Sequence, residues 1–175
     1  MQIMRFVLVF IILLIACPLF GETSYQRPEV LIDSMVRAGS FSTPFMNHQG
    51  SALIKAFYVE MPSLAYVSRE QIKLGGVRFN PKNFTAISNY YINQISYFDI
   101  LEKKERPIPF PKEAILRGIS WSPDGKKVAI TMEKEFCQEL WIIAIPSLQK
   151  NQVPGVCLNS ILKKEIEWID SSKMF

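Results

Sequence analysis

One histidine, His48, and three cysteines are all that 175 residues supply of the side chains most used for general-base chemistry and metal binding. Cys137 and Cys157 have no histidine or second cysteine at ligand spacing, which argues against a zinc centre. Gly-x-Gly-x-x-Gly and Gly-x-x-x-x-Gly-Lys are both missing, so no phosphate cradle is indicated and no cofactor is expected. Clustered positive charge is missing too. The formal charge is +4, but Lys103, Lys104, Lys126, Lys127, Lys163 and Lys164 lie close to Glu or Asp, so a nucleic-acid partner is not expected. Hydrophobic residues make up 49% of the chain, enough for a packed core and against disorder.

No apolar run reaches the roughly 18 to 20 residues that cross a bilayer. Arg5 is followed by Phe6 to Ala16, eleven uninterrupted apolar residues, the pattern of a secretory signal. Residues 1–21 are therefore expected to be a signal peptide, and the product exported to a periplasm or beyond the cell. Leu14-Ile-Ala-Cys17 also resembles a bacterial lipobox, which would make Cys17 the lipidated residue and anchor the chain to a membrane. Cleavage near Gly21 by an ordinary signal peptidase and an uncleaved anchor are the alternatives. In an oxidising compartment Cys137 and Cys157 could pair across about twenty residues, or Cys137 could be a small buried hydrophobe.

Residues 22–40 read as an N-terminal extension with a short amphipathic helix, Pro28 near its start and Val30, Leu31, Met35 and Val36 on one face. The pattern then becomes β. Ala52 to Val59, Ile92 to Leu101, Ile115 to Trp121, Lys127 to Met132 and Glu139 to Ile145 are short runs rich in Ile, Val, Tyr, Phe and Trp, separated by turn residues. Pro107, Pro109 and Pro111 predict an extended connection between two sheets, because proline cannot donate to a ladder.

Asp124-Gly125 supplies the chemistry of a tight hairpin turn, flanked on both sides by apolar residues. Ile166 to Phe175 repeats the order Trp, Asp, Lys, with Trp168 placed 47 residues after Trp121. A degenerate earlier copy is read at Asn47-His-Gln-Gly50 followed by Ala52 to Phe57. A period of about 40 to 50 residues carrying hairpin-plus-strand units is that of a β-propeller blade. The expected fold is mainly β, an incomplete propeller of about three blades over residues 41–175; a β-sandwich with tight turns is the alternative.

The string Trp121-Ser-Pro-Asp-Gly-Lys-Lys-Val-Ala129 resembles the blade motif of TolB-like and prolyl oligopeptidase propellers. Tyr25-Gln-Arg-Pro28, Met61-Pro-Ser-Leu64 and Lys73-Leu-Gly-Gly-Val-Arg-Phe-Asn-Pro81 precede it, and Glu139-Leu-Trp141 follows. That succession resembles the N-terminal region of the glutamyl endopeptidase branch of the prolyl oligopeptidase family of serine peptidases. The resemblance implies a propeller that gates peptide substrates for an α/β-hydrolase domain carrying the Ser, Asp and His triad. No part of that domain falls within these residues. The expectation is thus a truncated, exported propeller fragment, inactive alone, with the hydrolase domain as its missing partner. The alternative is a stand-alone exported or lipid-anchored binding or structural module.

No catalytic residue is expected within the chain. Gly118-Ile-Ser120-Trp-Ser122 lacks the final glycine of a nucleophile elbow. His48 reads as a solvated turn residue, and Asp124 and Asp170 as turn carboxylates bonding their own backbone. Glu133 with Glu135, and Glu165 with Glu167, read as solvated surface. Trp121, Trp141 and Trp168 are expected at matching repeat positions as packing residues. Asn83-Phe-Thr85 fits a glycosylation acceptor in a host that glycosylates.

Overall fold

Alternation of buried and partly buried residues along Ala52–Tyr58, and the near-continuous burial of Lys127–Glu133, are the signatures of strands covered on one face and on both. The computed structural model describes residues 28–36, 42–59, 61–88, 90–162, 166–170 and 173. The leader and Cys17 lie outside the described residues. Two compact units divide the chain, Met1–Ala38 and Gly39–Phe175. In the first, α1 (Val30–Val36) is the expected short helix, but Val30, Leu31 and Met35 are exposed rather than buried on a packed face.

The second unit is mainly β and antiparallel. In chain order it contains β1 (Ser42–Met46), β2 (Ala52–Tyr58), α2 (Leu64–Val67), β3 (Ile72–Leu74), β4 (Val77–Asn80) and β5 (Thr85–Ala86). There follow β6 (Ile92–Asp99), β7 (Lys104–Ile108), β8 (Ile115–Trp121), β9 (Lys127–Glu133), β10 (Gln138–Ala144) and β11 (Lys150–Gln152). Strands β1-β2-β6-β7 form one four-stranded meander and β8-β9-β10-β11 a second, the two being hydrogen-bonded where Ile92 meets Leu116. The small sheet β3-β4-β5 stands apart.

The two meanders repeat one register. Phe45 pairs with Ile54 and Met46 with Leu53 in the first; Ser120 pairs with Ala129 and Trp121 with Val128 in the second. Their hairpin turns have the same hydrogen bonds. Asn47 N–H donates to Ala52 O and Gly50 N–H to Asn47 O, as Ser122 N–H donates to Lys127 O and Gly125 N–H to Ser122 O. The side chains match as well: Asn47 Oδ1 accepts from Ala52 N–H at 3.2 Å where Ser122 Oγ accepts from Lys127 N–H at 2.9 Å. Gly50 and Gly125 hold φ of +69° and +67°, the left-handed region that glycine enters without a Cβ clash.

Residues from both meanders form one hydrophobic cluster. Ala52, Ile54, Ala56, Ile95 and Tyr97 of the first join Leu116, Trp121, Val128, Ile130, Met132 and Ile143 of the second. Ile54, Ile95, Leu116 and Ile130 have no exposed surface, and each such side chain contributes about 2 to 3 kcal/mol by leaving water.

Two expectations need correcting. The Pro107 stretch begins as a strand, not a connection: β7 lies beside β6, with Pro107 opposite Ser96. The ladder tolerates a proline there because β7 is an outer strand, and edge strands have a side without ladder partners. Trp141 is not at a position matching Trp121. It sits in mid-strand on β10, edge-on to Phe110 at 6.1 Å, and donates to Glu139 of its own strand at 3.0 Å.

Candidate functional site

The repeat is interrupted at one place. In the second meander four residues, 134–137, join β9 to β10; in the first, 33 residues, 59–91, join β2 to β6. This insert carries α2 and the small sheet. Ser63 caps α2 by accepting from Tyr66 N–H, and Gly75 and Gly76, both at positive φ, make the β3–β4 turn.

The insert is fastened to the second meander through Glu133, at the end of β9. The Glu133 side chain is 3% exposed, and both its oxygens are engaged. Oε2 accepts from Arg117 Nη2 at 2.8 Å and Nε at 3.2 Å, two charge-assisted bonds converging on one oxygen. Oε1 accepts from Arg69 at 2.8 Å and from Asn83 Nδ2 at 3.2 Å. Arg117 also donates to the Tyr66 hydroxyl at 2.7 Å, which donates onward to Ser88 O at 3.1 Å. Arg69 lies over the Tyr66 ring, 4.7 Å from its centroid. Burial works against the Arg117 charge, but Glu133 and Tyr66 outweigh it and raise its pKa. Burial acts the other way on Tyr66: by disfavouring the phenolate it raises the pKa, with Arg117 opposing.

Beside this cluster lies a groove of about 630 Å³, with Ala114, Ile115 and Met132 among its apolar lining and Arg69, Lys82 and Glu113 among its charges. Glu133 is committed to two guanidinium groups and an amide, and thus acts as an anchor for the insert.

Glu133 is therefore buried, although its spacing from Glu135 predicts solvated surface. Glu135 is exposed, with Lys82 at 3.9 Å. Asn83 is 1% exposed and its amide nitrogen donates to Glu133 and to Lys134 O, so the folded protein offers no glycosylation acceptor there. His48 is exposed on the β1–β2 turn, as expected of a turn residue. Asp124 accepts from Ser122 Oγ at 2.7 Å and Lys126 N–H at 3.1 Å, and Asp170 accepts from Lys173 N–H at 2.9 Å, both in the expected turn role. Ser120 lies within β8, with no elbow geometry. Cys137 and Cys157 are joined in a disulfide. Among the described residues no group of three His, Cys, Asp or Glu side chains could hold a metal ion. Glu165 lies outside the described residues.

Sequence reasoning missed the Glu133 cluster. The available signal was Arg117 in a strand otherwise free of charge, an arrangement that demands a buried counter-charge.

The tryptophans complete the site's frame. Trp121 Nε1 donates to Phe45 O at 2.8 Å, and Trp168 Nε1 donates to Ser120 O at 3.3 Å. Phe45 and Ser120 occupy the same register position in successive meanders. Trp121 is thus bonded to this carbonyl of the first meander and Trp168 to that of the second, and Met46 holds in the first meander the place that Trp121 holds in the second. No known protein family matches this chain, and no curated protein matches it.

Proposed function

We propose that residues 41–175 are successive blades of an incomplete β-propeller. In this reading they form the N-terminal part of the gating domain of an exported serine peptidase of the prolyl oligopeptidase type. Hydrolysis belongs to an α/β-hydrolase domain that these residues do not contain. The observation that carries the propeller reading is the pair of indole bonds, from Trp121 to Phe45 O and from Trp168 to Ser120 O. One such bond joins the second four-stranded meander to the first, and Trp168 makes the same bond to the second; a ring of blades is built from units joined in one repeated way. The peptidase reading rests on the ordered segments from Met61-Pro-Ser-Leu64 to Glu139-Leu-Trp141. The disulfide supports export, since such bonds persist in oxidising compartments.

A ring takes about four to eight blades, so the reading requires further repeats. The test is to sequence the encoding DNA and the adjoining frame. Further units headed by tryptophan at 40 to 50 residue spacing, followed by Gly-x-Ser-x-Gly, are the expected result. Further repeats without a hydrolase would retain the propeller and remove the peptidase; neither feature would overturn both. On the protein itself, a fluorophosphonate probe should label the hydrolase-bearing polypeptide and leave residues 22–175 alone unlabelled.

A further inference from the structure

Three stretches far apart in sequence meet around one covalent bond. The first is the β9–β10 turn, closed by Lys134 N–H donating to Cys137 O at 2.8 Å. The second is the chain leaving β11, where Leu158 N–H donates to Gln138 O at 2.9 Å. The third is the insert. Asn83 Nδ2 donates to Lys134 O at 2.7 Å, and Ser160 N–H donates to Phe84 O at 3.1 Å. Thr85 and Ser160 form a parallel bridge, so the departing chain adds to the outer side of the small sheet. Cys137 lies on the first stretch and Cys157 on the second, with their Cα atoms 5.4 Å apart. Cys157 is exposed and Cys137 half-buried.

We infer that Cys137–Cys157 is a site of thiol–disulfide exchange, and that a dithiol reductant acting there frees residues 157–160 and loosens the insert's grip on the second meander. The chemistry balances with the reductant alone. Its thiolate attacks the exposed Cys157 Sγ, forming a mixed disulfide and releasing Cys137 as a thiolate. The reductant's second thiol then closes its own disulfide and releases Cys157. Two electrons pass from the dithiol to the protein, and two protons leave the reductant's thiols for the cysteines. The turn and the departing chain then keep only hydrogen bonds between them, those of the backbone and the long ones from the two freed thiols to Val156 O and Phe136 O, and the insert loses the tethered edge on which Phe84 and Thr85 rest. The Glu133 cluster is untouched by the exchange, so the insert is released on one side and held on the other.

The test is hydrogen exchange on the full chain, oxidised and then reduced with dithiothreitol, with Cys157→Ser as a second route to the same state. Loss of protection by tenfold or more at the Leu158 and Ser160 amides is expected, with a smaller loss at Ile87, whose N–H donates to Arg78 O across the small sheet. Amides of Val128 and Ile130 should keep theirs. Unchanged protection at Leu158 and Ser160 would overturn the inference. So would an equal loss throughout β8, β9 and β10, because the bond would then be a general staple rather than a local latch.

Discussion

Gln49 Nε2 donates to the backbone carbonyl of Pro123 at 3.2 Å, so the hairpin turn of the first meander is bonded to the hairpin turn of the second. The contact leaves no space beside Gly125: a Cβ there would stand 2.3 Å from Gln49 Oε1 and 3.2 Å from Asn47 Nδ2. At Gly50 the nearest atom to such a Cβ is Met46 Sδ at 4.0 Å. Both glycines have positive φ, so alanine costs about 1 to 2 kcal/mol of backbone strain at either. Gly125→Ala must also displace Gln49. It should destabilise by about 1 kcal/mol more than Gly50→Ala, and that excess should shrink in a Gln49→Ala background, where only the Asn47 contact remains, as read from urea midpoints.

Replacing Trp121 by Phe removes a buried indole's N–H and leaves the half-buried Phe45 carbonyl without that donor, at a cost of about 1 to 2 kcal/mol. Trp168→Phe, at a more exposed position and a longer bond, should cost less than about 1 kcal/mol. In nitrogen-15 spectra the indole N–H of Trp121 should exchange slowest of the three. Equal costs for the two variants would contradict the difference in burial.

Glu133→Gln leaves Arg117, whose side chain is 12% exposed, without its counter-charge. The expected loss is about 3 kcal/mol, the usual result of breaking one side of a buried pair. Arg69→Ala removes a partner that is 38% exposed and screened by solvent, and should cost about 1 kcal/mol or less. Glu133→Leu combined with Arg117→Met should recover much of the single-variant loss. Urea unfolding with the disulfide kept oxidised measures all three.

Acid should weaken the fold through three carboxylates held below their usual range. Asp124 is lowered by the Ser122 hydroxyl and then the Lys126 amide, and Asp99 chiefly by the Glu102 and Leu101 amides. Glu105 is lowered by Lys55 and then Ser96. A depressed carboxylate stabilises the native state in full above its unfolded pKa, about 4, and the contribution disappears as pH falls through the native value. Stability should therefore fall below about pH 4 as these groups protonate. Asp124→Asn should be less stable than the parent at neutral pH and converge with it in acid.

What the sequence makes legible follows where the physics is local. Ile115–Trp121 is the strand its β-branched and aromatic residues predict, end to end, and Asp124-Gly125 turns as its chemistry requires. Asn47 to Gly50 was readable as a copy of that turn because Asn and Ser can each accept from the backbone five residues on. The small sheet escaped because its strands are only three, four and two residues long, so the alternation of Ile72-Lys73-Leu74 is too short to betray a strand. Glu133 escaped for a different reason. Its neighbours Lys134 and Glu135 are charged and exposed, while the residues that claim it lie 16 and 64 positions away.

Outer strands of the large sheet share one property of practical consequence. Pro44 interrupts β1, Lys104, Arg106 and Pro107 occupy β7, and β11 is three residues long and begins with Lys150. Each is a recognised deterrent to the addition of a foreign strand. Cross-β seeding should therefore be slow to start from this sheet's rims, and concentrated solutions of the folded chain should stay free of thioflavin-positive fibrils.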